Sequence, residues 1–131
     1  MVHSLYFDGA SVSNPGKSSY GAVIYKDELE IATGYQYLGN TITNNYAEYM
    51  GLIEGLKLAL RNNIDSLDVY GDSLLVINQM KGVWKVQSRS LNELNEEANE
   101  FVKCFEEVKF FHVKGNLNRR ADELANIAFL K

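Results

Sequence analysis

Four carboxylates, Asp8, Glu48, Asp72 and Asp122, occupy places along the chain where a fold gathers reactive groups. Asp8 follows the β-prone run Ser4–Phe7, and Asp72 comes just after the brief run Leu67–Tyr70. Glu48 opens a stretch of helical periodicity, and Asp122 falls in the first turn of another. Strand ends and helix starts are where a sheet with covering helices collects its functional side chains. Any one of these acids is explained by the preference of acids for helix N-termini and turns. Together, flanked by small or polar residues, they point to a shared site. Crowded carboxylates cannot all ionise unless cations lie among them. An oxygen-only ligand set selects Mg²⁺ or Mn²⁺. Two such ions roughly 3.5–4 Å apart clamp the attacking and leaving oxygens of an in-line phosphoryl displacement. No Ser–His or Cys–His pairing is evident, so the expected nucleophile is water.

The elements that must hold these groups can be read in order. Ser4–Phe7, Tyr20–Tyr25 and Ile31–Leu38 have strand character, with Asn14-Pro15-Gly16 as a turn and Lys26-Asp27-Glu28 as a hairpin tip. In the turn, proline presets one φ angle and Gly16 is expected to take a positive one. Short links between three consecutive strands imply an antiparallel meander. From Tyr46 to Arg61, Tyr49, Leu52, Ile53, Leu56 and Leu60 mark one face of a helix. Gly51 and Gly55 on that helix suggest close approach to a neighbour. A strand at Leu67–Tyr70 and a short helix at Ser73–Met80 follow. Ser90 and Glu93 have capping-box spacing, ahead of an amphipathic stripe formed by Leu91, Leu94, Ala98, Phe101, Val102 and Phe105. Val108–Val113 reads as the last strand. Asn118 is placed to cap a final helix through Leu130, with Ala121, Leu124, Ala125 and Ala128 facing inward. This order predicts a mixed α/β (α+β) fold, a five-stranded mixed sheet with three antiparallel strands first and helices on both faces. A single domain over residues 1–131 is expected, since the length suits one core.

Composition excludes several classes of function. Apolar residues are 46% and charged residues 23%, as in ordinary globular proteins. One cysteine, Cys104, permits neither an intrachain disulfide nor a thiolate metal cage, and suggests a reducing cytoplasm. No run resembles a signal peptide or a membrane span. The net charge of −4 argues at first against nucleic acid. Setting the four site carboxylates aside leaves thirteen acids against thirteen Lys and Arg, and bound cations would cancel the excess locally.

Four segments resemble the type 1 ribonuclease H family, in order and across essentially the whole chain. They are Asp8-Gly9-Ala10 leading to Asn14-Pro15-Gly16, then Thr43-Asn44-Asn45-Tyr46-Ala47-Glu48, Tyr70-Gly71-Asp72-Ser73, and Ala121-Asp122-Glu123-Leu124-Ala125. The resemblance implies a ribonuclease H-like fold and an endonuclease that cuts the RNA strand of RNA–DNA hybrids. Two Mg²⁺ ions (or Mn²⁺) would serve it, and the products would carry 3′-hydroxyl and 5′-phosphate ends. Asp8, Glu48, Asp72 and Asp122 would then be the catalytic metal ligands. Gly9, Asn14, Asn44 and Asn45 would approach the RNA strand and its 2′-hydroxyls. A hydroxyl that both donates and accepts suits amide side chains, and it separates RNA from DNA. Thr43 resembles part of a pocket for a DNA-strand phosphate.

The chain departs from the family pattern in two ways. Many members carry a histidine just after the last strand, whereas here Val113-Lys114-Gly115 leads to Asn116; His3 and His112 are expected to be strand residues. Many also have a basic helical protrusion. Here Lys81, Trp84 and Lys85 are the candidates for a reduced DNA-strand contact, by phosphate pairing and an aromatic surface; Trp84 could equally pack as core. Arg119 and Arg120 would add phosphate contacts or stay solvated. A monomer is expected. The alternatives are a non-cleaving hybrid-binding module, a nuclease that also cuts double-stranded RNA, and a DNA nuclease or strand transferase of the same fold. The intact acidic quartet weighs against the first, and the Asn-rich segment against the last. A purely structural role would rest on the Leu91–Phe105 stripe, which core packing explains more simply.

Overall fold

The computed structural model describes residues 2–130. Its elements are β1 (His3–Ser11), β2 (Gly16–Lys26), β3 (Leu29–Ile42), α1 (Asn44–Arg61), β4 (Ser66–Gly71), α2 (Leu74–Met80), α3 (Arg89–Val102), β5 (Glu107–His112) and α4 (Arg119–Ile127). Short 3₁₀ turns at Gly115–Leu117 and Ala128–Leu130 flank α4. The strands form one sheet in the order β3-β2-β1-β4-β5. β1, β2 and β3 pair antiparallel, and β4 and β5 pair parallel to β1 and to each other. The mixed sheet and the initial meander therefore stand as read from the sequence.

Period-two alternation explains the two layers. Leu5, Phe7, Ala22, Ile24, Leu67 and Val69 point to one face, where Tyr49, Leu52, Ile53 and Leu56 of α1 and Leu91, Leu94 and Ala98 of α3 meet them. Tyr6, Val23 and Tyr25 point to the other, against Ala121, Leu124 and Ile127 of α4. The four positions read as the inward face of α4, Ala121, Leu124, Ala125 and Ala128, are all buried. Gly21 lets α4 lie close on β2, since a Cβ there would sit 2.3 Å from the Ala121 carbonyl oxygen. From Tyr6, which borders α4, the stack continues across β4 and β5 through Tyr70 and Phe111, with centroids 4.7 and 5.1 Å apart.

Several local expectations need correction. The first three strands run longer than their apolar cores, because ladder pairing carries polar flanks into the sheet. Gly16 takes no positive φ; the described glycines that do are Gly39 and Gly82. What demands glycine at 16 is crowding, as a Cβ would meet the Ser13 side chain and carbonyl. At the hairpin tip, Asp27 supplies the left-handed residue, with φ 57°. Helix α3 starts two residues earlier than the Ser90–Glu93 spacing suggests. Ser88 is its cap, accepting from the Leu91 N–H at 3.4 Å, and Ser90 lies inside the first turn. The stripe also outlasts the helix, which ends at Val102; Phe105 is buried from the following turn, where Cys104 is exposed. No described helix is long and apolar enough to cross a membrane.

Candidate active site

The β1–β4 ladder ends at the pair Phe7–Gly71. Asp8 and Asp72 are the next residues on each strand, so parallel pairing delivers both to the same edge. The sheet order makes this place special: after β1 the chain builds outward to β2 and β3, then returns on the other side as β4. Such a switch in direction opens a crevice beyond the strand ends. Glu48 reaches it from the second turn of α1. That helix begins at Asn44, where the Thr43 hydroxyl accepts from the Tyr46 N–H at 3.1 Å. Gly9 permits the close approach, since a Cβ there would lie 2.5 Å from the Ala47 carbonyl carbon and the Glu48 nitrogen. Gly51, further along α1, faces the Asp8 carbonyl in the same way, while Gly55 makes room for the Leu5 side chain.

Carboxylate oxygens of Asp8, Glu48 and Asp72 all lie within 4.8 Å of one another. Asp8 is 5% exposed, and Asp72 is partly buried. Asp122 stands exposed on the rim, within hydrogen-bonding reach of the Asp8 carboxyl. The structure thus gathers three of the four acids tightly and sets the fourth beside Asp8. Burial pushes the Asp8 carboxyl up to about 10, with Glu48, Asp72 and Asp122 adding to the shift. Burial likewise raises Glu48 to about 8, with Asp72 adding; the Gly9 N–H, donating to Glu48 Oε1 at 2.9 Å, pulls the other way. Without a counter-charge this cluster holds protons at neutral pH. The donor set fits a hard divalent cation, being all oxygen, clustered and short of positive partners.

The Gly9 N–H, on a backbone expected to approach the RNA strand, donates here to Glu48 Oε1 and so orients that carboxylate. Asn14, Asn44 and Asn45 are exposed near the start of α1. Asn14 Oδ1 accepts from the Asn44 N–H at 3.0 Å, which ties the turn after β1 to the helix start. Lys81, Trp84 and Lys85 are exposed on the segment between α2 and α3, away from the acidic cluster in sequence. Trp84 is 44% exposed and does not pack as core. It lines an open groove of about 560 Å³ with Leu75, Val83, Lys85 and Leu91. Arg120 is engaged by Glu30, at 2.8 Å, and by Glu123, while Arg119 is exposed. His3 and His112 lie at strand ends, His112 opposite Gly71 in the ladder.

Sequence reasoning missed two buried polar arrangements. The Tyr49 hydroxyl donates to Gln79 Oε1 and accepts from Asn95 Nδ2, linking α1, α2 and α3 beneath the Trp84 segment. Asn118 was read as a side-chain cap of α4, yet its side chain makes no capping bond. It turns inward and donates from Nδ2 to the Phe7 carbonyl at 2.9 Å. Nothing in the hydrophobic pattern marks either, because both depend on partners distant in sequence.

A family described as reverse transcriptase-like matches residues 6–128. A ribonuclease HI from Halobacterium salinarum is 39% identical over 97% of this chain and 63% of its own length. A ribonuclease H from Chlorobaculum parvum is 33% identical, covering 95% of this chain and 93% of its own. The crystal structure of RNase H1 from Halobacterium salinarum superposes with a TM-score of 0.94 at 37% identity, covering 98% of each chain. That of LC11-RNase H1 in complex with an RNA/DNA hybrid gives 0.90 at 33%, covering 96% of this chain and 95% of the other. The chain spans 63% of the Halobacterium relative and 34% of a bifunctional protein from Mycobacterium tuberculosis that is also 39% identical.

Proposed function

Because this chain belongs to the ribonuclease H family, we propose that it hydrolyses the RNA strand of RNA–DNA hybrids, acting as a monomer in the cytoplasm. The observation that carries this reading is the convergence of Asp8, Glu48 and Asp72, oxygens within 4.8 Å, at the switch point of the sheet. With Asp122 they would hold Mg²⁺ or Mn²⁺, two ions when substrate is bound. Bound cations supply charge neutralisation at the scissile phosphate and a more acidic water.

The chain's own groups divide the remaining work. The Gly9 N–H keeps Glu48 aimed into the cluster. Asn14, Asn44 and Asn45 face the RNA strand, where an amide can both donate to and accept from a 2′-hydroxyl. Thr43, whose hydroxyl caps α1, lies where a DNA-strand phosphate would meet the helix start. Lys81, Trp84 and Lys85 grip the DNA strand through phosphate pairing and an aromatic surface. Water adds to phosphorus as the bond to the 3′-oxygen breaks, leaving a 3′-hydroxyl and a 5′-phosphate.

The test is incubation of purified protein with end-labelled hybrid, RNA duplex, DNA duplex and single strands, in Mg²⁺, Mn²⁺ or EDTA. Cleavage confined to the RNA of the hybrid, and abolished by EDTA, is expected. Robust cutting in EDTA, or no preference for hybrid over DNA duplex, would overturn the proposal.

A further inference from the structure

Asn118 is the most deeply buried amide side chain, 1% exposed, in a position that composition gives no reason to bury. A buried amide costs free energy unless it is hydrogen-bonded. Here only half the group is satisfied: Nδ2 donates to the Phe7 carbonyl, while Oδ1 finds no partner among the described residues. Leucine would fill similar space without that cost, so the retained amide calls for a role beyond packing.

The place of its single bond suggests one. Phe7 belongs to the last β1–β4 pair, Phe7–Gly71, from which Asp8 and Asp72 each lie one residue further. On its own element, the Asn118 carbonyl accepts from the Asp122 N–H at 3.2 Å, the first helical bond of α4. Its N–H donates to the Gly115 carbonyl at 3.0 Å, closing the 3₁₀ turn that brings Gly115 beside Asp72. Asn118 is therefore joined to the residue before Asp8 by its side chain and to Asp122 by its backbone. Elsewhere α4 is tied to β2 by the Ser19 hydroxyl, which donates to the Ala125 carbonyl, and to β3 by the Arg120–Glu30 pair; the Asn118 bond reaches β1 itself, next to Asp8.

We propose that Asn118 is a positioning residue that clamps the start of α4 to β1 and so sets Asp122 at the distance from Asp8 at which both can share a divalent cation. The inference rests on the reading of these carboxylates as cation ligands. It adds that the fourth ligand, the exposed one, owes its place to a buried amide that touches neither substrate nor metal.

The experiment compares wild type, Asn118→Leu, Asp122→Asn and the double variant. It measures thermal unfolding, Mn²⁺ binding by calorimetry without substrate, and the Mg²⁺ dependence of hybrid cleavage. In folded Asn118→Leu, Mn²⁺ affinity should fall about tenfold, the usual scale for loss of a group that orients a ligand. The Mg²⁺ concentration for half-maximal rate should rise in parallel, with the KM for hybrid at saturating Mg²⁺ changed less than about twofold. In the Asp122→Asn background the leucine substitution should add little, since the group it positions is already gone. Asn118→Ser, which keeps a donor on a shorter arm, supplies the same comparison if the leucine variant fails to fold. A folded Asn118 variant that loses thermal stability but keeps wild-type Mn²⁺ affinity would overturn the inference, as would full additivity with Asp122→Asn. Failure of the wild type itself to bind Mn²⁺ would instead overturn the metal-site reading.

Discussion

Each of the three clustered carboxylates is costly alone and useful together. Asp8→Asn, Glu48→Gln or Asp72→Asn is expected to lower hybrid cleavage by about a hundredfold or more, the usual effect of removing a preorganised charged group from a reacting centre. Unfolding midpoints without metal should hold or rise, because a neutral amide replaces a carboxyl that burial and its acidic neighbours make costly to ionise. Near-wild-type turnover by purified Asp8→Asn would contradict the assignment. The raised Asp8 and Glu48 values, about 10 and about 8, also carry a pH signature. Both groups bind protons more tightly folded than unfolded, so the folded state holds more protons between their ordinary values near 4 and these raised ones. Metal-free stability should therefore fall as pH rises through that window, by at most about 1.4 kcal/mol per pH unit for each group. Thermal melts at pH 5 and pH 8 with EDTA or Mg²⁺ test this: Mg²⁺ should stabilise more at pH 8, and equal stabilisation at both would refute it. At the edge proposed to face RNA, Asn45→Ala should weaken hybrid cleavage with metal binding little changed. A 2′-O-methyl RNA next to the cut should impair the wild type strongly and add little to the loss already caused by Asn45→Ala. Equal fold-losses in both proteins would return Asn45 to a plain loop residue.

At the scale of elements, helix starts do most of the placing. Thr43 begins α1 so that Glu48 falls in its early turns, and Ser88 rather than Ser90 begins α3. Ser88→Ala should cost about 1 kcal/mol of unfolding free energy, as for other lost N-caps, whereas Ser90→Ala should stay within about 0.5 kcal/mol. Denaturant titration separates the two, and the reverse ranking would return the cap to Ser90. Spacing alone could not decide this, because either serine precedes the apolar stripe. The choice falls to the register in which Leu91, Leu94 and Ala98 meet α1. The same rule explains α4: Asn118 has a cap's identity and place, but the Phe7 carbonyl on β1 within reach outweighs the exposed N–H groups that water can satisfy.

For the whole molecule, charge and topology must be weighed together. A net charge of −4 does not repel a hybrid uniformly, since much of the excess lies where cations are expected. The exposed Lys81 and Lys85 stand on a separate segment that the Tyr49–Gln79–Asn95 network braces from below. Lys85→Ala should thus weaken binding to hybrids broadly and lower the slope of log K against log salt by roughly one contact's worth. Its activity on saturating hybrid should change little. An unchanged salt slope would remove Lys85 from the DNA-strand contact.

What the sequence determined by itself was local and periodic. Alternation and helical spacing specified nearly every element and which face of it is buried, because burial imposes those periods on the chain directly. The acids that cluster were legible too, since each sits at an element boundary inside a recognisable segment. Tertiary structure decided the rest. The parallel pairing of β1 with β4 brought Asp8 beside Asp72, and close packing at Gly9 brought in Glu48. Trp84 came to the surface, the Gly9 N–H was given to Glu48, and Asn118 turned inward. A hydrogen bond between residues 111 positions apart leaves no periodic trace in either segment, so only the folded chain reveals it.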